Sequence, residues 1–203
     1  NTHLIYPASP PQSKDALTNS LEKIKKFPLQ ITNKLKLQAF LTNQVQDINS
    51  RKTHLFESLS DNDIELIICA RGGYGSSDLL QKISWSSLKQ TKPKWLIGYS
   101  DISALQSCLY TLLKWPCLHA PMPDTHYWEE KTDEDLLVLQ KILTGSCAQV
   151  TTEVSKISDN KKNSITEGVL FGGCLSVLSN LIGTMYLPKS LDNHILFFED
   201  INE

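Results

Sequence analysis

The run Ile64-Glu65-Leu66-Ile67-Ile68-Cys69-Ala70 passes without interruption into Arg71-Gly72-Gly73-Tyr74-Gly75-Ser76-Ser77. A near-continuous apolar run of this length suits a strand buried on both faces, as in a parallel sheet covered by helices. The same order recurs at Lys94 to Gly98, which feeds Tyr99-Ser100-Asp101. A helix then follows with Ile102, Leu105, Leu109, Leu112 and Leu113 on one side. His3 to Tyr6 reads as a further buried strand, with a three-proline loop from Pro7 to Gln12. Ser13 is placed to cap a helix carrying Leu17, Leu21 and Ile24, with Pro28 as its stop. The spacing of Val45, Ile48, Leu55, Phe56 and Leu59 predicts a second helix from Thr42 to Leu59. Strands alternating with helices imply an α/β domain with a mostly parallel sheet flanked by helices. Ligands of such sheets sit at the carboxyl ends of the strands, so both glycine-containing loops should open into one crevice.

The rest of the chain divides by composition. Thr132 with Asp135 resembles a capping box ahead of Leu136, Leu139 and Leu143, and Gly145 closes that helix. Residues 1–145 are therefore read as the N-terminal α/β domain. Residues 146–167 are polar and read as a linker, with a weak edge strand at Gln149–Val154. Residues 168–203 read as the beginning of a second domain. The chain of 203 residues lacks an initiator Met and stops soon after the apolar run Ile195 to Phe198. Both ends are expected to be internal to a longer protein, with the second domain truncated.

Several function classes are disfavoured. A net charge of -2 gives no basic field to attract nucleic acid. No apolar run approaches the ~20 residues that span a bilayer, and the N-terminus has no signal-peptide pattern. The five cysteines are odd in number and show no CxxC spacing, so a zinc site is not expected. They read as reduced structural thiols of a cytoplasmic protein.

Three places could carry chemistry. Ser100, at a sharp strand-to-helix junction, either caps the helix or projects its hydroxyl as a nucleophile beside unpaired backbone amides. Ile102 stands where a Gly-x-Ser-x-Gly elbow has its second glycine. The Gly72, Gly73 and Gly75 loop is either a tight turn or a cradle that donates an amide to an oxyanion and, through Arg71, meets a carboxylate. It is not a dinucleotide fingerprint, because Asp78 occupies the third glycine position, and it has no P-loop lysine. The run Glu199-Asp200-Ile201-Asn202-Glu203 is either a solvated acidic turn or the source of an acid that orients a histidine. Of the five histidines, His119 alone has unusual company, in Leu118-His119-Ala120-Pro121-Met122, and a structural role is its simplest reading.

These residues together resemble the bacterial LD-carboxypeptidases, serine peptidases (family S66) whose clan includes the microcin C self-immunity protein. The likeness rests on Arg71 to Ser76, on Pro93-Lys94 leading to Gly98 through Leu105, and on four further segments in order. Those are Tyr6-Pro7-Ala8-Ser9, His119-Ala120-Pro121-Met122, Gly172-Gly173-Cys174-Leu175-Ser176 and Phe197 through Glu203. The resemblance implies a two-domain enzyme with a Ser-His-Glu triad. Its nucleophile falls on Ser100 and its acid on Glu203. Its oxyanion donors fall on the backbone of Asp101 and the glycine loop at Gly73, beside Gly72 and Arg71. Its histidine lies in a Gly-His segment of the second domain, later than residue 203, so residues 1–203 alone are expected to be inactive. The implied reaction is hydrolysis of the bond between an L-configured diamino acid and the terminal D-alanine of murein tetrapeptide, in cytoplasmic peptidoglycan recycling. The resemblance implies a homodimer and no metal or cofactor. A self-immunity peptidase acting on a peptidyl-nucleotide and a non-catalytic module binding a phosphate or carboxylate are the alternatives.

Overall fold

The computed structural model describes residues 1–33, 47–126, 128, 133–147, 149–155 and 165–200. Strands β1 (Thr2–Ile5), β2 (Leu66–Cys69), β3 (Trp95–Gly98) and β4 (Cys117–His119) form one parallel sheet in that spatial order. Its register sets Ile5 beside Cys69, Ile68 beside Ile97, and Gly98 beside His119.

Successive side chains of a strand point to opposite faces, and both faces here are apolar. Leu4, Tyr6, Leu66, Ile68, Ala70 and Ile97 pack with Leu17 and Ile24 of helix α1 (Lys14–Ile24). Ile5, Ile67, Cys69 and Leu96 pack on the opposite side. Their partners are Leu55 and Leu59 of α2 (Ile48–Ser60) and Leu105, Cys108 and Leu109 of α3 (Ser103–Leu113). Helix α4 (Asp133–Leu143) leans Leu143 against the α1 side. The near-continuous apolar run at Ile64–Ala70 is thus the signature of burial between two helical layers.

Local chemistry fixes the helix ends. Ser13 Oγ accepts the Ala16 amide at 3.1 Å. Helix α1 stops at Ile24, four residues before Pro28, and Phe27 donates its amide back to Ile24 in a closing turn. Gly145 adopts a φ of +70° just beyond α4, and its amide bonds the Ile142 carbonyl. The expected short helix after the glycine loop is instead two 3-10 segments, Ser77–Lys82 and Trp85–Gln90. The capping box at Thr132 and the expected helix start at Thr42 lie outside the described residues.

The expected edge strand at Gln149–Val154 does not form. Val150 and Val154 are 56% and 83% exposed, so the segment has neither a buried face nor a pairing edge to hold it extended. Conversely, β4 had no counterpart among the expected elements. Its three residues are only half-buried and follow Pro116 directly.

Residues 168–200 form a second, two-stranded parallel sheet from β5 (Val169–Cys174) and β6 (His194–Glu199), with α5 (Leu175–Ser179) after β5. Two strands alone are barely stable. This pair leans on α3 instead. Leu178 and Leu181 bury into the cluster that holds Ile102 and Leu105, each burial contributing about 1.5–3 kcal/mol. Ser103 Oγ accepts the Cys174 amide at 3.0 Å. Ser107 Oγ donates to the Tyr186 carbonyl at 2.7 Å. No helix among the described residues is long and apolar enough to cross a membrane.

Candidate active site

Because the four strands of the main sheet are parallel, their carboxyl ends release four loops at one edge. All four, with the start of α1, line a cleft of about 620 Å³. The first loop contributes Gln12 and the second Arg71, Gly72 and Gly73. The third gives Tyr99 and Ser100, and the fourth runs from Met122 to His126.

Ser100 has a φ of +61°. Among the described residues only two other non-glycines share this region: Lys114, which terminates α3, and Asn193, in the turn before β6. A left-handed conformation costs an L-residue roughly 1–2 kcal/mol. Ser100 does not offset that cost by capping, since no side-chain cap bond forms at this junction. The strained turn instead lifts the hydroxyl into the cleft, as a nucleophile elbow does. This geometry favours the elbow over the simple helix cap.

The glycine loop is held against the elbow by specific bonds. Ser76 donates its amide to Asp101 Oδ2 at 2.8 Å and its hydroxyl to the Asp101 carbonyl. Asp101 is 5% exposed; burial pushes its carboxyl pKa up, and hydrogen bonding from Ser76 opposes that shift. Gly72 lies closest to the nucleophile, for a Cβ built there would stand 3.2 Å from Ser100 Cβ and 3.4 Å from its Oγ. At Gly73 the φ is +106°, and a Cβ would collide with Ser9 Oγ at 2.1 Å. Ser9 in turn donates its amide to the Gly72 carbonyl and accepts the Tyr74 amide.

Two residues absent from the sequence-level candidates complete the frame. Arg51 Nη1 donates to the carbonyls of Pro7, Ala8 and Gly75, tying the first loop to the second. Asp124 is 7% exposed, and its Oδ2 accepts no hydrogen bond. Burial pushes its pKa up, and the Arg71 charge pulls it back. Arg71 lines the same cleft and donates to the Pro10 carbonyl at 3.3 Å. Arg51 gave no signal in sequence. Asp124 could have been found had β4 been recognised, since its carboxyl-end loop must open on the same edge.

The acidic run approaches the elbow from β6. Phe197 and Glu199, two residues apart and therefore on one face, both contact His119. The ring centroids of Phe197 and His119 are 5.1 Å apart, and Glu199 Oε1 lies 3.6 Å from His119 Nε2. The Ser100 backbone amide faces the Glu199 carboxylate and favours its charged form. Burial acts more strongly and raises the Glu199 pKa. Asp200 turns away to accept the Ser176 amide at 2.8 Å. Glu203 lies outside the described residues. The structure therefore brings together Ser100, Asp101, Arg71, Gly72 and Gly73, and adds Glu199. Among the described residues no group of three His, Cys, Asp or Glu side chains is placed to hold a metal ion.

Comparison with known proteins agrees with this fold. Residues 3–120 match the family described as LD-carboxypeptidase N-terminal domain, and residues 167–203 match LD-carboxypeptidase C-terminal domain. A Bacillus subtilis protein named probable murein peptide carboxypeptidase is 30% identical over 214 residues, covering 98% of this chain and 62% of its own length. A murein tetrapeptide carboxypeptidase of Pseudomonas aeruginosa is 28% identical over 164 residues, covering 77% of this chain and 52% of its own. The chain thus spans less than two thirds of the curated relatives it matches. The crystal structure of muramoyltetrapeptide carboxypeptidase from Oxalobacter formigenes superposes with a TM-score of 0.78 at 21% identity, covering 100% of this chain and 66% of that one. A microcin C7 self-immunity protein bound to adenosine monophosphate gives 0.77 at 22%, covering 98% and 68%. At such identities these two structures establish the shared fold.

Proposed function

This chain belongs to the LD-carboxypeptidase family, and from that premise we propose that it serves a serine carboxypeptidase that releases the terminal D-alanine of murein tetrapeptide. The observation that carries the reading is the left-handed Ser100 in a cleft shared by all four carboxyl-end loops. Ser100 Oγ attacks the carbonyl of the bond between the L-configured diamino acid and D-alanine. Its proton passes to a histidine base, which the family resemblance puts in the second domain. The tetrahedral oxyanion is met by backbone amides at Asp101 and Gly73; one such donor is worth about 2.7–4 kcal/mol of barrier. Arg71 meets the carboxylate of the leaving D-alanine, a charge-assisted contact that fixes the scissile bond over Ser100. Water then releases the acyl group by the same route.

The acid of the triad falls on Glu203 by resemblance; a second candidate is Glu199, which lies 3.6 Å from His119 Nε2 and whose charged form the Ser100 amide favours. All five cysteines are free thiols, which fits a cytoplasmic protein. The family resemblance also implies a homodimer, which light scattering would check.

The deciding experiment measures D-alanine release from murein tetrapeptide by the full-length enzyme and by its Ser100→Ala variant. Release should fall about ten-thousand-fold or more in the variant. Undiminished release by Ser100→Ala would overturn the nucleophile assignment. A protein inert on tetrapeptide but active on a peptidyl-nucleotide would move it to the self-immunity class. Inertness on both would favour a binding module.

A further inference from the structure

Behind Glu199 lies a chain of hydrogen bonds whose protons can be counted. Gln106, on α3, donates its side-chain amide to two backbone carbonyls, Gly98 at 2.8 Å and Leu118 at 3.1 Å. Carbonyls carry no proton, so the NH₂ group must face them, and Oε1 must face the other way. There it stands 3.4 Å from His119 Nδ1. An amide oxygen only accepts, so Nδ1 carries the ring proton. In a neutral ring this leaves Nε2 with a bare lone pair.

Beside that nitrogen lies another acceptor. Glu199 Oε1, 3.6 Å away, is buried and accepts no hydrogen bond. A carboxylate oxygen facing an unprotonated nitrogen is repulsive, and burial strengthens the repulsion. One additional proton removes the conflict, whichever of the two atoms holds it. We propose that His119 is a positioning residue for Glu199, sharing one proton between its Nε2 and Glu199 Oε1. The inference rests on the carboxypeptidase reading, in which Glu199 is the acid beside the nucleophile.

The surroundings favour a pair that is neutral as a whole. His119 is flanked by the rings of Phe197 and Tyr99, and Gly173 of β5 approaches its Cε1. Among the described residues, the Asp200 charge disfavours ionisation of Glu199 and the Ser100 amide favours it. Burial pushes His119 down and Glu199 up, so both shifts resist separated charges. With Oε1 held by His119, the carboxylate is fixed against the strand end that carries Ser100. Losing the proton at high pH would turn the contact repulsive and let the carboxylate swing away.

The test combines spectroscopy with kinetics. In the ¹⁵N spectrum of the wild-type protein, His119 should keep Nδ1 protonated across the accessible pH range, and its titration should change in Glu199→Gln. A neutral His119 protonated at Nε2, titrating alike in wild type and Glu199→Gln, would overturn the proposal. This arm does not depend on activity, so it stands even if the carboxypeptidase reading fails. In kinetics of the full-length enzyme, His119→Leu should lower kcat about 10- to 100-fold with KM within about twofold. His119→Gln offers an amide donor that does not titrate; it should retain most of kcat and lose one ionisation from the alkaline limb of the pH profile. Wild-type kcat and pH profile in folded His119→Leu would equally overturn the proposal.

Discussion

Gly98 and Ile102 meet across the elbow: a Cβ built on Gly98 would stand 2.8 Å from Cγ2 of Ile102. The absence of a second glycine after Ser100 is thereby compensated. Ile102 is fully buried and occupies the space that Gly98 leaves open. Gly98→Ala should overpack this contact and lower stability by about 1–3 kcal/mol in chemical denaturation. A fully stable variant would show that the elbow tolerates bulk on both sides.

The two candidate acids separate cleanly by substitution. Glu199→Gln should reduce kcat by at least about a hundredfold, while Glu203→Gln should leave it within about tenfold of wild type. The opposite ranking in tetrapeptide hydrolysis would return the role to Glu203.

Arg51 joins two loops through three carbonyls and does not itself line the cleft. Arg51→Met should leave those carbonyls underpaired and cost about 1–3 kcal/mol of stability. A matching drop in kcat should accompany it, since Ser9 and Gly73 lose their support. Arg51→Lys should recover part of both. Paired calorimetry and kinetics on the two variants would show whether the strut matters for turnover as well as for folding.

Asp124 should leave a pH signature. Its folded pKa is raised above the ordinary carboxylate value of about 3.9. Between those two values the folded state binds more protons than the unfolded state, so its contribution to stability falls as pH rises through that window. Asp124→Asn removes the titration. The variant should therefore gain stability relative to wild type from about pH 4 upward, levelling off above the raised pKa. Denaturation curves across that range that stay parallel would contradict the assignment.

The core of the fold was legible because burial on both faces writes itself into sequence as near-continuous apolar runs. Ile64–Ala70 and Lys94–Gly98 are such runs, and β2 and β3 lie within them. β4 left no such trace, since Cys117–His119 is short and half-buried. Ser100 was legible as a residue at a junction, but not its φ of +61°, because serine carries no preference for that region. The position of Glu199 depends on the pairing of β6 with β5, a tertiary contact that local pattern does not encode. The resemblance assigns the acid to Glu203, four residues later and outside the described residues. Arg51 was invisible because its partners are backbone carbonyls from two distant loops.

The docking of β5 and α5 on α3 has a mechanical consequence. The nucleophile and Glu199 come from segments joined covalently only through the stretch that includes residues 149–155, which is exposed and without regular structure. Exposed loops of this kind are where proteases cut. Yet Leu178, Leu181 and the Ser103–Cys174 bond grip the later segment independently of that connection. A chain nicked between Val150 and Ser155 should stay assembled as a two-fragment complex, with the cleft and its acid still in register.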